Sequence, residues 1–217
     1  MLYFVGVGPG DPELITMKAV RILQEADVIV LPDSGRDSVI WKIIEKWVKN
    51  KPVYSVSIPM HGMKQEWHEA HRRAAEHIRE LMKEYETAAY PVLGDPGIYA
   101  SGSYLMKHIS AHHPCNVIPG VPAMCAAAAE LGIPLCEQHE DLWVTDAFDA
   151  AKLPLKTNAV LMKSGNNISA LKAAIADAEA YAIRNLGMSN QWIGRLADYP
   201  EDVSSYFTTV IVKPHEH

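Results

Sequence analysis

Three short stretches carry the residue types from which a site could be built. Gly6-Val7-Gly8-Pro9-Gly10-Asp11-Pro12 follows the apolar run from Leu2, Gly94-Asp95-Pro96-Gly97-Ile98-Tyr99 follows the run 88–93, and Pro119-Gly120-Val121-Pro122 leads from the run 116–118 into a string of alanines. The first lies between a strand-like and a helix-like segment. A dinucleotide loop wants glycines at positions one, three and six. Gly6 and Gly8 fit, but the sixth position is Asp11, and an acid at a helix entrance repels a pyrophosphate. No GxxxxGK[ST] loop is present. Dinucleotides and triphosphates are therefore disfavoured, and a purely structural turn is the competing reading of this stretch.

The second stretch suits a different ligand. Gly94 can take positive φ and let a ligand approach the backbone, while Pro96 stiffens the bend and leaves Asp95 near the strand's end. Ligands of open α/β sheets bind outside the carboxyl ends of strands. A carboxylate there favours an amine or sulfonium over a phosphate; the competing role for Asp95 is capping the next helix. The third stretch predicts a slim, alanine-rich helix, suited to close packing or to a flat ligand alongside.

Other chemistries find less support. His68-Glu69-Ala70-His71 is one residue short of HExxH and lacks the base in its place, His112 and His113 are adjacent, and His215 and His217 end the chain. These histidines read as solvated, and no metal site is expected. Cys115, Cys125 and Cys136 fit neither a disulfide framework nor a CxxC pair and read as core residues of a reducing compartment. Ser101 and Ser103 lack a GxSxG elbow.

The elements that must position these turns alternate. Strands are expected at 2–8, 28–31, 52–57, 88–93 and 116–118, with helices at 15–27, 37–50 and 64–85, the last striped by Trp67, Ala70, Ala74, Ile78 and Leu81. Near-continuous apolar strands separated by helices predict a mainly parallel sheet covered on both faces. After about residue 140 come strand-like runs at 142–147, 158–163, 180–185, 192–198 and 206–213, with one helix at 168–180. The last three runs, separated by short gaps, predict antiparallel pairing. The fold class expected is α/β, with two α/β domains, a mainly parallel sheet in the first, a mixed sheet in the second and the active site in a cleft between them. The division is taken as 1–113 and 114–217, with Pro- and charge-bearing 134–141 as a linker-like stretch.

Composition agrees with a globular protein. The 217 residues are 48% hydrophobic and 21% charged, enough to bury a core. A net charge of −6 speaks against sequence-independent nucleic-acid binding. No basic-headed export signal precedes the first glycine turn, and no apolar stretch reaches the roughly 18 residues of a membrane span. A cytoplasmic protein is expected.

Taken together, "GVGPGDPELIT", "GDPGIY" and "PGVPAMCAAAAELGIPL", in this order, resemble the tetrapyrrole (cobalamin and siroheme) methyltransferase family. "PM" after the third strand, "AVLMK" and "YFTTVIVK" extend the resemblance along the chain, and "LPD…IPM…GDPxxY…LGIPL" is most similar to the subgroup that methylates C-20 of precorrin-2 or cobalt-factor II. The resemblance implies a homodimer that binds S-adenosylmethionine between its two domains and methylates a reduced tetrapyrrole. By motif match it implies Gly94, Asp95 and Ile98 at the methionine end of the cofactor, Pro122 and Ala123 beside them, and Met162 and Leu186 at the adenosine. Pro9 would border the tetrapyrrole trough and Tyr99 would face the reacting carbon. No protein-bound metal is implied, since any cobalt arrives with the substrate. Arg36, Lys42, Lys64, Arg72 and Arg73 are candidate partners for substrate carboxylates. Ala100-Ser101-Gly102 and Pro122 depart from the family pattern. Two alternatives accompany this reading: methylation of another ring carbon, such as C-11 of precorrin-4, and a non-catalytic tetrapyrrole- or cofactor-binding protein.

Overall fold

Five apolar runs before residue 122 form five strands: β1 (Leu2–Gly6), β2 (Val28–Pro32), β3 (Val53–Val56), β4 (Ala88–Val92) and β5 (Cys115–Ile118). The computed structural model describes residues 1–32, 35–58, 64–146, 157–175, 178–200 and 202–214. Asp33, Pro59-Met60, Ala147, Ala176, Asp177, His215 and His217, all weighed in the sequence, lie outside the described residues. All five strands are parallel, in the order β3-β2-β4-β1-β5. Their alternation sorts the core into two layers. Leu2, Phe4, Val28, Val30, Tyr90 and Val92 meet α3 (Lys64–Leu81) and α4 (Gly102–Ile109) through Ala74, Ile78, Leu105 and Ile109. Val5, Val7, Ile29, Leu31 and Ala89 face the other way, onto Ile22 and Leu23 of α1 (Met17–Glu25) and Ile40, Ile43 and Ile44 of α2 (Val39–Ile44). Helices on both faces are why these strands are apolar throughout.

Pro91 sits in the central strand β4, where a missing N–H would ordinarily break a ladder. Ala88 donates to Met1 O and Val92 O accepts from Val7 N, so the even-numbered residues of β4 bond to β1. Pro91 faces β2 instead, and the β2–β4 register already ends at Ile29↔Ala89. The two strands part there, one turn before Gly94.

The second sheet contains β6 (Leu142–Thr145), β7 (Asn158–Leu161), β8 (Glu179–Arg184), β9 (Trp192–Arg195) and β10 (Thr208–Lys213), in the order β6-β7-β10-β8-β9. Only β6 and β7 pair in parallel; β10 is antiparallel to β7 and β8, and β8 to β9. Helix α6 (Ile168–Ala174) covers one face with Ile168 and Leu171 against Leu161, Ala182 and Val210. Helix α5 (Ala123–Leu131), the alanine run, buries Ala126, Ala127 and Ala128 and lies along β10.

Several helices are shorter than expected. α2 starts late because Ser38 caps it, accepting from Trp41 N at 3.0 Å and donating to Gly35 O at 2.6 Å; beyond Ile44 the chain tightens into turns that end at Asn50, φ +68°. Asp11 and Thr16 both act as caps. Asp11 caps the 3-10 turn Pro12–Leu14 and Thr16 caps α1 itself. α6 ends at Ala174, and residues 179–180 of the expected helix belong instead to β8, which pairs along its whole length with β10, a tertiary gain that outweighs the helix propensity of their sequence. The chain divides into the units Met1–Pro122 and Ala123–His217. The first therefore runs past the expected 113/114 boundary, because β5 pairs with β1.

Candidate functional site

The carboxyl ends of β4, β1 and β5 lie side by side, and glycines let their backbones touch. Gly8 (φ +83°) and Gly94 (φ +74°) bridge the turns after β1 and β4, with Gly94 N to Gly8 O at 2.7 Å and Gly8 N to Gly94 O at 3.3 Å. A Cβ on Gly120 would fall 2.2 Å from Gly94 O and 2.8 Å from Gly6 Cα, and one on Gly6 would fall 2.5 Å from Gly120 N. No side chain fits this junction. Asp95 completes it: Oδ1 accepts from Gly97 N at 2.7 Å and Oδ2 from Gly120 N at 2.9 Å. Asp95 does not cap α4, whose N-cap residue Ser101 makes no side-chain cap bond.

The bend continues through Ile98, half-buried, whose N–H donates to Asp95 O at 3.3 Å. Tyr99 follows at φ +46° and 39% exposed. A left-handed tyrosine is strained, and such residues collect at functional sites. Pro9 is buried in the turn that Gly8 joins to Gly94. Asp11 spends Oδ1 on Glu13 N at 2.8 Å, so the first turn offers an occupied acid where a phosphate loop would offer free amides. Pro122 and Ala123, both half-buried, stand where the third turn passes into α5.

In the second unit, Met162 follows β7 and Leu186 follows β8. Both strands run antiparallel to β10, so these residues leave the sheet at the same edge. Met162 is half-buried, with its N–H on Thr145 O at 2.7 Å, and Leu186 is buried. Each adjoins a left-handed residue: Lys163 at φ +58°, Asn185 at φ +52°. Asn185 is held by Phe207 O and by the Ser205 hydroxyl, which donates to its Oδ1 at 2.6 Å. Of the five non-glycine residues with positive φ among the described residues, three are thus at or beside expected cofactor contacts.

Some expectations need correction. His71 is not solvated: it is fully buried, its Nδ1 donates to Trp67 O at 2.8 Å, and its Nε2 has no hydrogen-bond partner among the described residues. It lies 4.0 Å from the Trp67 ring, with Tyr104 beyond; His68, three residues back, is exposed. Burial holds its pKa below the ordinary value, against the pull of the Trp67 carbonyl. Of the cysteines, only Cys115 packs against the core, where burial pushes its thiol up; Cys125 and Cys136 are exposed. Among the described residues no group of three His, Cys, Asp or Glu could hold a metal ion. Arg72 is engaged on its own helix by Glu69 and Glu76, and Arg36 stacks on Trp41. Gly6 and Gly120 are the residues of this junction that the sequence reading places in no cofactor contact; their signal is a glycine at the end of β1 and another two residues past β5.

The sequence profile described as Tetrapyrrole (Corrin/Porphyrin) Methylases matches residues 1–198. The chain belongs to this family. Among relatives of these methylases, a precorrin-2 C(20)-methyltransferase from Sinorhizobium sp is 30% identical over 96% of this chain and 93% of its own. A cobalt-precorrin-2 C(20)-methyltransferase from Salmonella typhimurium is 27% identical over 82% of this chain and 78% of its own. Solved methylase structures share the fold. The cobalt precorrin-4 methyltransferase CbiF matches with TM-score 0.71 at 22% identity, over 97% of this chain and 93% of that one. The uroporphyrin-III C-methyl transferase from Thermus thermophilus complexed with S-adenosyl homocysteine matches with TM-score 0.65 at 22% identity, over 97% and 96%.

Proposed function

We propose that this methylase transfers a methyl group from S-adenosylmethionine to C-20 of precorrin-2 or of its cobalt form, a step of corrin-ring assembly. The observation that carries the reading is the match to a precorrin-2 C(20)-methyltransferase along 96% of the chain. The turn chemistry supports it: a carboxylate, close-packed backbone and the apolar Ile98, with no Lys or Arg in Gly94–Tyr99, suit a sulfonium and a methionyl chain better than phosphates.

In this reading Gly94, Asp95 and Ile98 form the methionine end of the cofactor site, with Pro122 and Ala123 next to it. Met162 and Leu186 pack on the adenosine, and the Pro9 turn borders the tetrapyrrole. S-adenosylmethionine, when bound, supplies a methyl already activated by its sulfonium. The protein's task is then positioning: it holds the nucleophilic meso carbon about 3–3.5 Å from that methyl, opposite the leaving sulfur. Tyr99 faces the reacting carbon, orienting the substrate or receiving the proton that carbon sheds after transfer. Cobalt, where present, belongs to the substrate. We further propose a homodimer, as the family resemblance implies, and a cytoplasmic location, supported by an odd number of widely spaced cysteines that fit no disulfide framework. Among the described residues no helix is long and apolar enough to cross a membrane.

The test is anaerobic incubation with precorrin-2 and S-adenosylmethionine. One S-adenosylhomocysteine formed per methyl gained is expected. Binding of the cofactor without product on any reduced tetrapyrrole would favour a non-catalytic binding protein.

A further inference from the structure

We infer that Asp95 is a positioning residue: its carboxylate locks the turn after β4 to the turn after β5 and so sets the backbone that receives the methionine end, rather than touching that end itself. The inference rests on the cofactor reading above and changes the role of its central acid.

Both carboxylate oxygens are already engaged, and by different turns. Oδ1 takes Gly97 N within its own bend at 2.7 Å; Oδ2 takes Gly120 N, 25 residues on, at 2.9 Å. Hydrogen bonds from amides to an ionised acceptor are short and strong. Pro119 and Pro122 carry no N–H, which leaves Gly120 and Val121 as the only backbone donors between β5 and α5, and Asp95 holds the first of them.

The closeness of the junction explains why a clamp is needed there. Gly120 stands against Gly94 O and Gly6 so tightly that no Cβ could enter, and Gly94 is itself bridged to Gly8. The Asp95 bond to Gly120 is a side-chain link that ties the third turn to the other two. Ile98 and Tyr99 lie on one side of that bond, Pro122 and Ala123 on the other. The side-chain type follows from the task. A short carboxylate is acceptor-only and can serve two amides at once, whereas asparagine would turn an NH2 toward one of them.

The experiment compares wild type with Asp95→Asn and Asp95→Ala. Amide exchange at Gly97 and Gly120 is followed by NMR in the free proteins. Affinities for S-adenosylmethionine and S-adenosylhomocysteine are measured by calorimetry, with melting curves to confirm folding. Slow exchange at Gly120 is expected in wild type, with and without ligand. In Asp95→Asn that protection should fall at least tenfold, and both affinities should drop together by about tenfold or more. Weakened binding with Gly97 and Gly120 still protected would overturn the inference, because the carboxylate would then be touching the ligand. A loss confined to the sulfonium form would overturn it too, as would lost protection with unchanged affinity. Should neither variant fold, wild type decides: release of the Gly120 amide on ligand binding refutes the clamp, and retention upholds it. Failure of wild type to bind either ligand would sink the functional reading instead, while amide protection in the free protein still reports the clamp.

Discussion

Tyr99 and His71 are both held against their own preferences, for different reasons. Tyr99 keeps a left-handed backbone at the end of the Gly-Asp-Pro-Gly bend and exposes its ring. If it handles the substrate, Tyr99→Phe should leave S-adenosylhomocysteine affinity unchanged and lower kcat by about 10²-fold, the low end for general acid–base assistance; undiminished turnover would reduce it to packing. His71 keeps its imidazole neutral inside the α3–α4 layer, its pKa lowered first by burial, then by His108 and His68. The unfolded chain protonates this group below about pH 6.5 while the native state resists, so native stability must fall as pH drops through that value. Denaturant midpoints at pH 7.5 and 5.5 should therefore differ less in His71→Leu than in wild type. The acid and glycines of the bend were legible from residue types alone. His71 was not, because a histidine three residues from an exposed one, on a helix dense in Arg and Glu, carries no mark of burial. Trp67, half-buried over its ring, was the available hint.

At the level of elements, strand positions were legible because each is an apolar run bounded by turn residues, and helix ends were not. α2, α3 and α6 all stop short of their amphipathic pattern, since caps, tightened last turns and sheet pairing set the ends. Pro91 within a central strand runs against the usual rule and is tolerated because the neighbouring ladder ends at Ala89. The glycine junction was only half legible. Gly94 signals a bend, but the contact among Gly6, Gly94 and Gly120 joins strands more than 100 residues apart in sequence only at its extremes, and that requires the sheet order. Gly6→Ala, whose Cβ would overlap the Gly120 amide, should cost about 1–3 kcal/mol or more, as overpacking does. Gly132→Ala meets no neighbour within 4 Å, so only its backbone at φ +67° resists the change and the loss should be smaller. Chemical denaturation of the pair checks the order.

At the level of the molecule, the alternation of strand and helix announced a parallel sheet, and the change of texture after residue 140 announced a mixed one. The units divide between Pro122 and Ala123; β5 is short and polar at Asn116, so its membership of the first sheet rests on pairing with β1, not on pattern. A homodimer predicts a sedimentation-equilibrium mass twice that of the chain, independent of S-adenosylhomocysteine; a single-chain mass would refute it. The most direct test of the proposed activity is where the methyl lands. With ¹³C-methyl S-adenosylmethionine and precorrin-2 or its cobalt form, the label should appear at C-20 and nowhere else by NMR of the isolated product. Label at another ring carbon, or an unlabelled ring after complete incubation, would contradict it.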